Sequence, residues 1–229
     1  MTMEKLQLPV ALIFDLDGVL VDSEPLHRRA KEQALAEIGI SLPESVYDRL
    51  KGRPDEIGLR EIVEEKGVPE RFPQLIERKS RLYREIHHEL KEVAGAAEFV
   101  RWAKSHFRIA LATSSTPRNR EVAFGVLGVG NLFESVVDSG RHQRPKPDPE
   151  VFQVAMNDLR LSPKDCWIIE DSVNGLRAAK SADCFAVGIT TTFAAPILRS
   201  AGANLVVESF SELRRLLENG LSATPKPNH

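Results

Sequence analysis

Asp15, Asp17, Asp22 and Glu24 fall within ten residues of the stretch "FDLDGVLVDSEPLH". The first two follow the apolar run Val10–Phe14 and stand two apart. In an extended segment, positions i and i+2 face the same way. An Asp-Gly pair also ends strands and opens turns, so the dipeptide alone fits either reading. Its partners favour chemistry. "EDSVNGL" places Glu170 and Asp171 directly after the apolar "CWII". The dipole of the following helix accounts for an acidic residue in its first turn, but not for Glu170 at the end of a buried-looking strand. Two carboxylates about 4 Å apart repel by roughly 4 kcal/mol at an effective dielectric near 20. A cluster of this kind needs a cation. Oxygen donors without nitrogen or sulfur suit Mg²⁺, which keeps several waters and often meets a substrate phosphate.

Positive and hydroxyl groups stand at matching places. "ATSSTPRNR" ends a strand with Thr113, Ser114 and Ser115. It then opens a helix with Thr116 as N-cap and Pro117 at the first position. Hydroxyls beside free backbone N–H groups make an anion site. In "RPKPDPE", Lys146 lies between two prolines that stiffen the loop. Asp148 there caps a helix that begins at Pro149.

These residues need a scaffold that brings four strand ends to one edge. The chain alternates apolar runs with helical periodicity. Strands are expected at 10–14, 108–112, 135–138, 166–169, 184–189 and 205–207. Helices are expected at 96–105, 118–127, 149–159, 173–181, 194–200 and 210–219. This pattern predicts an α/β fold, a doubly wound parallel sheet with a Rossmann-like core, whose site lies beyond the carboxyl ends of the strands. Between the first two strands, residues 24–91 read as helix almost throughout, with segments at 26–38, 43–50, 55–66 and 73–90. That block is too long for a crossover and reads as an inserted helical domain. The core is then residues 1–22 and 94–220, the helical cap 23–93, and the Pro-rich "LSATPKPNH" a disordered tail over 221–229. Asp22 and Glu24 are expected to cap the first inserted helix. Asp183 stands where a helix stops in a left-handed turn, a place Asp tolerates.

Bulk properties narrow the class. With 229 residues, 42% of them hydrophobic, the chain can bury a sizeable core. A net charge of −2 gives no basic nucleic-acid surface. Cys166 and Cys184, the two cysteines, form neither a disulfide framework nor a zinc spacing, so a reducing, cytoplasmic setting is expected. The N-terminal apolar run is too short for a signal peptide or a membrane span. The glycines of "GVLGVG" have the wrong spacing for a dinucleotide site.

"DLDGV" (Asp15–Val19), Thr113, Lys146 and "ED" with "NG" close behind resemble, in order, the four signature motifs of the haloacid dehalogenase superfamily. The cap-sized insert resembles that of its β-phosphoglucomutase-like phosphatases. The resemblance spans about Leu8 to Asn219. It implies that Asp15 is a nucleophile forming an aspartyl-phosphate, and that Asp17 is the general acid and then the base. It implies a Mg²⁺ ion on Asp15, the Asp17 backbone carbonyl and Asp171, with Glu170 a further or water-mediated ligand. Thr113, the Ser114 backbone and Lys146 would hold the phosphoryl group. Asp17 favours phosphate chemistry over carbon–halogen cleavage, because the dehalogenases generally lack it.

On the cap, His27 resembles a residue at the cap entrance of the mutases. "LKGRPDEIGL" resembles a substrate loop, which makes Lys51 and Arg53 candidate contacts. Arg78 and Lys79 match a basic pair on the last cap helix, and Lys79 joins the candidates. In β-phosphoglucomutases an Arg of that loop holds a second phosphate, and Asp55 stands at that position here. The expectation is therefore a Mg²⁺-dependent phosphatase of small phosphorylated metabolites, monomeric, without nucleic-acid or membrane partners. A β-phosphoglucomutase-type mutase is the alternative. A phospho-receiver switch shares the acidic site, Thr/Ser and Lys but has no inserted domain.

Overall fold

The computed structural model describes residues 7–223. The chain forms two compact units. One runs through Val21 and resumes at Glu92; the other is Asp22–Lys91.

The first unit is built on six parallel strands in the order β5-β4-β1-β6-β7-β8. They are β1 (Ala11–Phe14), β4 (Arg108–Ala112), β5 (Ser135–Val137), β6 (Cys166–Glu170), β7 (Phe185–Ile189) and β8 (Leu205–Val207). β1 is central and wholly buried because "ALIF" offers apolar side chains to both faces. Ala11 and Ile13 join one core, with Phe152 and Met156 of α7 (Glu150–Leu159), Leu176 of α8 (Val173–Ser181) and Leu198 of α9 (Ala195–Ala201). Phe14 faces the other way, 6.0 Å from Phe99 of α5 (Ala96–Lys104). Phe99 in turn meets Phe210 of α10 (Phe210–Ala223) at 4.9 Å. The chain leaves β1 for β4 on one side and later returns to β6 on the other. The switch point therefore lies at the carboxyl end of β1, where open parallel sheets bind ligands.

The second unit holds four helices: α1 (Glu24–Glu37), α2 (Glu44–Leu50), α3 (Asp55–Glu65) and α4 (Phe72–Ile86). Leu35, Leu59, Val63 and Leu75 are fully buried. Two short strands, β2 (Val21–Asp22) and β3 (Lys91–Glu92), pair where the chain passes between the units.

Several expectations shift. Ser23, not Asp22 or Glu24, occupies the N-cap of α1, and Glu24 is its first helical residue. Pro25 can continue a helix from its first turn, which draws the start two residues earlier than the periodicity suggested. α7 begins at Glu150, one residue after the expected Pro149, with Asp148 Oδ1 accepting from the Glu150 N–H at 3.0 Å. α10 runs through Ala223, so residues 221–223 of the expected tail are helical; the remainder, 224–229, lies outside the described residues. Thr116 caps α6 (Pro117–Leu127) by accepting from the Asn119 N–H, as its sequence predicts. Asp183 adopts φ +57° at the end of α8, and Arg160 adopts φ +54° after α7.

Candidate active site

Strands β1, β4 and β6 lie side by side, and each ends in a polar residue. β1 delivers Asp15, β4 delivers Thr113, and β6 delivers Glu170 and then Asp171. All four are at most 7% exposed. Lys146 enters from the loop after β5, is 8% exposed, and precedes a cis peptide to Pro147.

Lys146 Nζ ties the three strands together. It donates to Asp15 Oδ1 at 2.7 Å, to Glu170 Oε1 at 2.7 Å and to the Ala112 carbonyl of β4 at 3.2 Å. An ammonium has three donors, and all are used. Glu170 is equally committed. Its Oε2 accepts from the Asp171 N–H at 3.1 Å, the Ser172 N–H at 3.1 Å and the Ser172 hydroxyl at 2.9 Å. Ser172 is also the N-cap of α8, accepting from the Gly175 N–H at 3.0 Å. The strand-ending carboxylate thus holds both the lysine and the start of the next helix.

Two glycines make room for this packing. At Gly18, where φ is +76°, a Cβ would lie 1.9 Å from Asp171 Oδ2. At Gly175 a Cβ would lie 1.8 Å from Glu170 Cδ. The "NG" of "EDSVNGL" is therefore a packing requirement of the glutamate five residues earlier.

The carboxylates are electrostatically frustrated. Burial, with Glu170 and Asp17 nearby, pushes Asp15 up to about 7 against the pull of Lys146. Burial raises Asp171 well above the usual carboxylate range, and Glu170 and Asp15 add to it. Burial disfavours the charged Lys146, but Asp15 and Glu170 outweigh it and raise its pKa.

One buried oxygen, Asp171 Oδ1, has no hydrogen-bond partner among the described residues. Asp15, Glu170 and Asp171 each offer an oxygen within 4.8 Å of the others. An unpartnered carboxylate oxygen in an all-oxygen, over-negative cluster fits a hard divalent cation such as Mg²⁺. Glu170 has the least to give it, since both its oxygens are already engaged.

Asp17 is half-buried and turns to a different partner. The Ser115 hydroxyl donates to its Oδ2 at 2.5 Å. Ser115 N–H donates in turn to Thr113 Oγ1 at 3.1 Å. Ser114 is exposed beside them. Sequence reasoning missed a fifth strand end. After β7, Thr191 donates its hydroxyl to the Gly18 carbonyl, and Thr192 bonds the Asp171 side chain. The run "ITTTF" at the end of an apolar strand was the available signal.

The second unit gathers its own charges. Asp55 lies between two buried lysines, with Oδ1 3.4 Å from Lys31 Nζ and Oδ2 in an ion pair with Lys79. Lys79 also donates to His27 Nδ1 at 2.9 Å, and the His27 ring stacks on Tyr83 at 4.2 Å. Burial alone would raise the Asp55 carboxyl; Lys79 and Lys31 outweigh it and hold it at about 2. Lys51 pairs with Asp48 at 2.8 Å. Arg53 makes a bidentate pair with Glu61 at 2.9 and 2.6 Å, and Arg78 pairs with Glu37. His27 and Lys79 thus come together, while Lys51 and Arg53 are held elsewhere by their own acids.

Residues 10–183 match the model of the haloacid dehalogenase-like hydrolases. The chain belongs to this family. It is 33% identical over 222 residues to the phosphorylated carbohydrates phosphatase of Thermotoga maritima, covering 95% of this chain and 94% of that protein. It is 34% identical over 212 residues to the β-phosphoglucomutase of Bacillus subtilis, covering 89% and 91%. The crystal structure of β-phosphoglucomutase from Clostridium difficile superposes with a TM-score of 0.77 at 27% identity, over 94% of this chain and all of that one. The family resemblance carried by "DLDGV", Thr113, Lys146 and "ED" agrees with these matches. Among the described residues, no helix of this hydrolase is long and apolar enough to cross a membrane.

Proposed function

We propose that this hydrolase is a Mg²⁺-dependent phosphatase of small phosphorylated metabolites, of the sugar-phosphate class, working through an aspartyl-phosphate on Asp15. The observation that carries the proposal is the buried Asp15 carboxylate, held by Lys146 at 2.7 Å beside a second carboxylate with an unpartnered oxygen. A nucleophilic carboxylate meets a phosphate dianion only where positive charge offsets the repulsion, and phosphoryl transfer is chiefly positioning plus charge stabilisation.

Asp15 attacks phosphorus, and the ester oxygen leaves with a proton from Asp17. Asp17, now a carboxylate, takes a proton from water as that water attacks the phosphoryl group. Inorganic phosphate departs and Asp15 is regenerated. Lys146 pulls Asp15 toward its ionised form and, giving up one of its present contacts, would receive the phosphoryl oxygens with Thr113 and the Ser114 backbone. Asp15, Asp171 and the Asp17 carbonyl would hold Mg²⁺, which supplies charge neutralisation and lowers the Asp15 pKa.

Hydrolysis is favoured over mutase chemistry by the second unit. Asp55 stands where β-phosphoglucomutases carry an Arg, and it neutralises Lys31 and Lys79. Arg53, the nearest substitute, is bound by Glu61. A second phosphate would face cations already paired with acids. The similarity to two β-phosphoglucomutases keeps the mutase as the second reading. A cytoplasmic, reducing setting suits the two buried free thiols.

The test is phosphate release from a panel of sugar monophosphates, phosphoglycolate, nucleotides and pyrophosphate with Mg²⁺. Turnover that disappears in Asp15→Asn supports the proposal; turnover at the wild-type rate in that variant refutes it. Isomerisation of glucose 1-phosphate sustained by a bisphosphate primer would replace it with the mutase.

A further inference from the structure

We infer that Ser115 is the residue that aims Asp17 for proton transfer. The inference deepens the proposed function, since it rests on Asp17 serving as the acid and base. Asp17 is half-buried, and its carboxylate has no ion pair among the described residues. Its orientation comes from the Ser115 hydroxyl, which donates to Oδ2 at 2.5 Å from 98 positions along the chain.

Ser115 is itself held through its backbone at two points. Its N–H donates to Thr113 Oγ1 at 3.1 Å, its carbonyl accepts from the Ser139 N–H at 3.0 Å, and its hydroxyl reaches Asp17. The donor is therefore fixed to the ends of two strands, β4 and β5, rather than to a freely moving loop. A mobile serine could follow the carboxylate; an anchored one dictates its rotamer.

The contact works in both protonation states. In the acid, Oδ2 is the carbonyl-type oxygen and accepts the serine hydrogen bond, so the proton must sit on Oδ1. In the carboxylate, Oδ2 accepts the same bond and Oδ1 is the free base. One oxygen is reserved for positioning and the other for proton transfer to the ester oxygen and from water. Thr113, proposed to receive the phosphoryl group, and Ser115 share a hydrogen bond, so the phosphoryl seat and the proton donor are built from one three-residue turn. Ser115 is thus a positioning residue, acting through Asp17.

The experiment compares kcat/KM for two esters of similar size. Benzyl phosphate expels an alkoxide and needs a proton, whereas 4-nitrophenyl phosphate expels a stabilised phenolate and does not. The ratio kcat/KM reports the steps through the first phosphoryl transfer, where Asp17 acts as acid. Ser115→Ala is expected to lower the benzyl value ~10–100-fold, the lower part of the range for general acid catalysis, while the 4-nitrophenyl value changes by less than ~3-fold. Ser115→Thr, which keeps the hydroxyl, is expected to restore the wild-type ratio of the two esters. In a crystal structure of Ser115→Ala, the Asp17 carboxylate is expected to leave its single rotamer.

Equal losses on both esters, or no loss on either, overturn the inference, provided Asp17→Asn separates the two esters. If Asp17→Asn also fails to separate them, the acid role of Asp17 falls, and the inference falls with it. Should Ser115→Ala fold poorly, Ser115→Cys, a weaker donor, is expected to give an intermediate ratio. A ratio identical to wild type in Ser115→Cys counts against the inference.

Discussion

Asp55→Asn removes the carboxylate that separates Lys31 from Lys79, and the size of the loss follows from the geometry. At 3.4 Å and an effective dielectric near 20, the Asp55–Lys31 attraction is about 5 kcal/mol before desolvation. The net value is smaller and is reported by the carboxyl itself. Burial works against the charged form, Lys79 and Lys31 work for it, and Asp55 ends at about 2 against an ordinary 3.8. Since each tenfold in proton affinity is about 1.4 kcal/mol, the charged form is worth about 2 kcal/mol to the fold. Asparagine also leaves Lys31 and Lys79, each 4% exposed, without their shared carboxylate. A buried ion left wholly unpaired costs about 3–5 kcal/mol, but Lys79 keeps its hydrogen bond to His27, so the expected loss lies between about 2 and about 3 kcal/mol. Because the folded pKa is depressed, this stability is complete above the unfolded value of 3.8 and fades as pH falls toward 2. The assay is urea unfolding of both proteins at neutral pH and in acid. Hydrogen exchange in α1, α3 and α4 locates the effect, because the two units can open separately. A neutral-pH difference below about 0.5 kcal/mol, smaller than the usual effect of a point mutation, refutes this account. So does a difference that survives undiminished in acid.

Gly175→Ala sets a Cβ 1.8 Å from Glu170 Cδ; overpacking typically costs about 1–3 kcal/mol, and denaturant unfolding should register that together with lost phosphatase activity. Burial pushes Cys166 up to about 11 and Cys184 up to about 12, so a thiol-specific dye at mildly alkaline pH should label neither in the native protein and both in urea. Asp183→Gly relieves a left-handed residue at φ +57° and should raise the unfolding midpoint by the equivalent of about 1 kcal/mol; a lowered midpoint would show that the Asp side chain contributes more than its backbone costs.

The sheet was readable because its strands are short, apolar and separated by capped helices. The parallel arrangement, though not the order of the strands, followed from that alternation. The candidate site residues were readable because strand ends are where an α/β protein exposes polar groups, so Asp15, Thr113 and Glu170 announced themselves by ending apolar runs, and Lys146 by standing between two prolines. What stayed hidden is pairing at a distance. Nothing local to Ser115 says that its hydroxyl meets Asp17, and nothing in "RPDE" says that Asp55 lies between lysines from two other helices. Helix starts erred by a residue or two where a proline lies at or beside the cap, as at Pro25 and Pro149. Thr191 and Thr192 were passed over because hydroxyls at a strand end carry no charge to draw attention.

The Lys146–Asp15 contact joins residues 131 positions apart, across a strand that is paired on both sides. The site therefore has no partial form. A chain emerging from the ribosome holds Asp15 from the outset, but Lys146 and the β6 carboxylates arrive only after most of the sequence has been made. Long-range closures of this kind are slow steps in folding, and every fragment short of Asp171 lacks part of the acidic cluster. A ligand that binds the assembled carboxylates is also linked to global unfolding rather than to local fraying. At a hundred times its Kd such a ligand would stabilise the whole sheet by about 2.7 kcal/mol. The melting temperature of the core can therefore screen candidate phosphates and divalent ions without any turnover being measured.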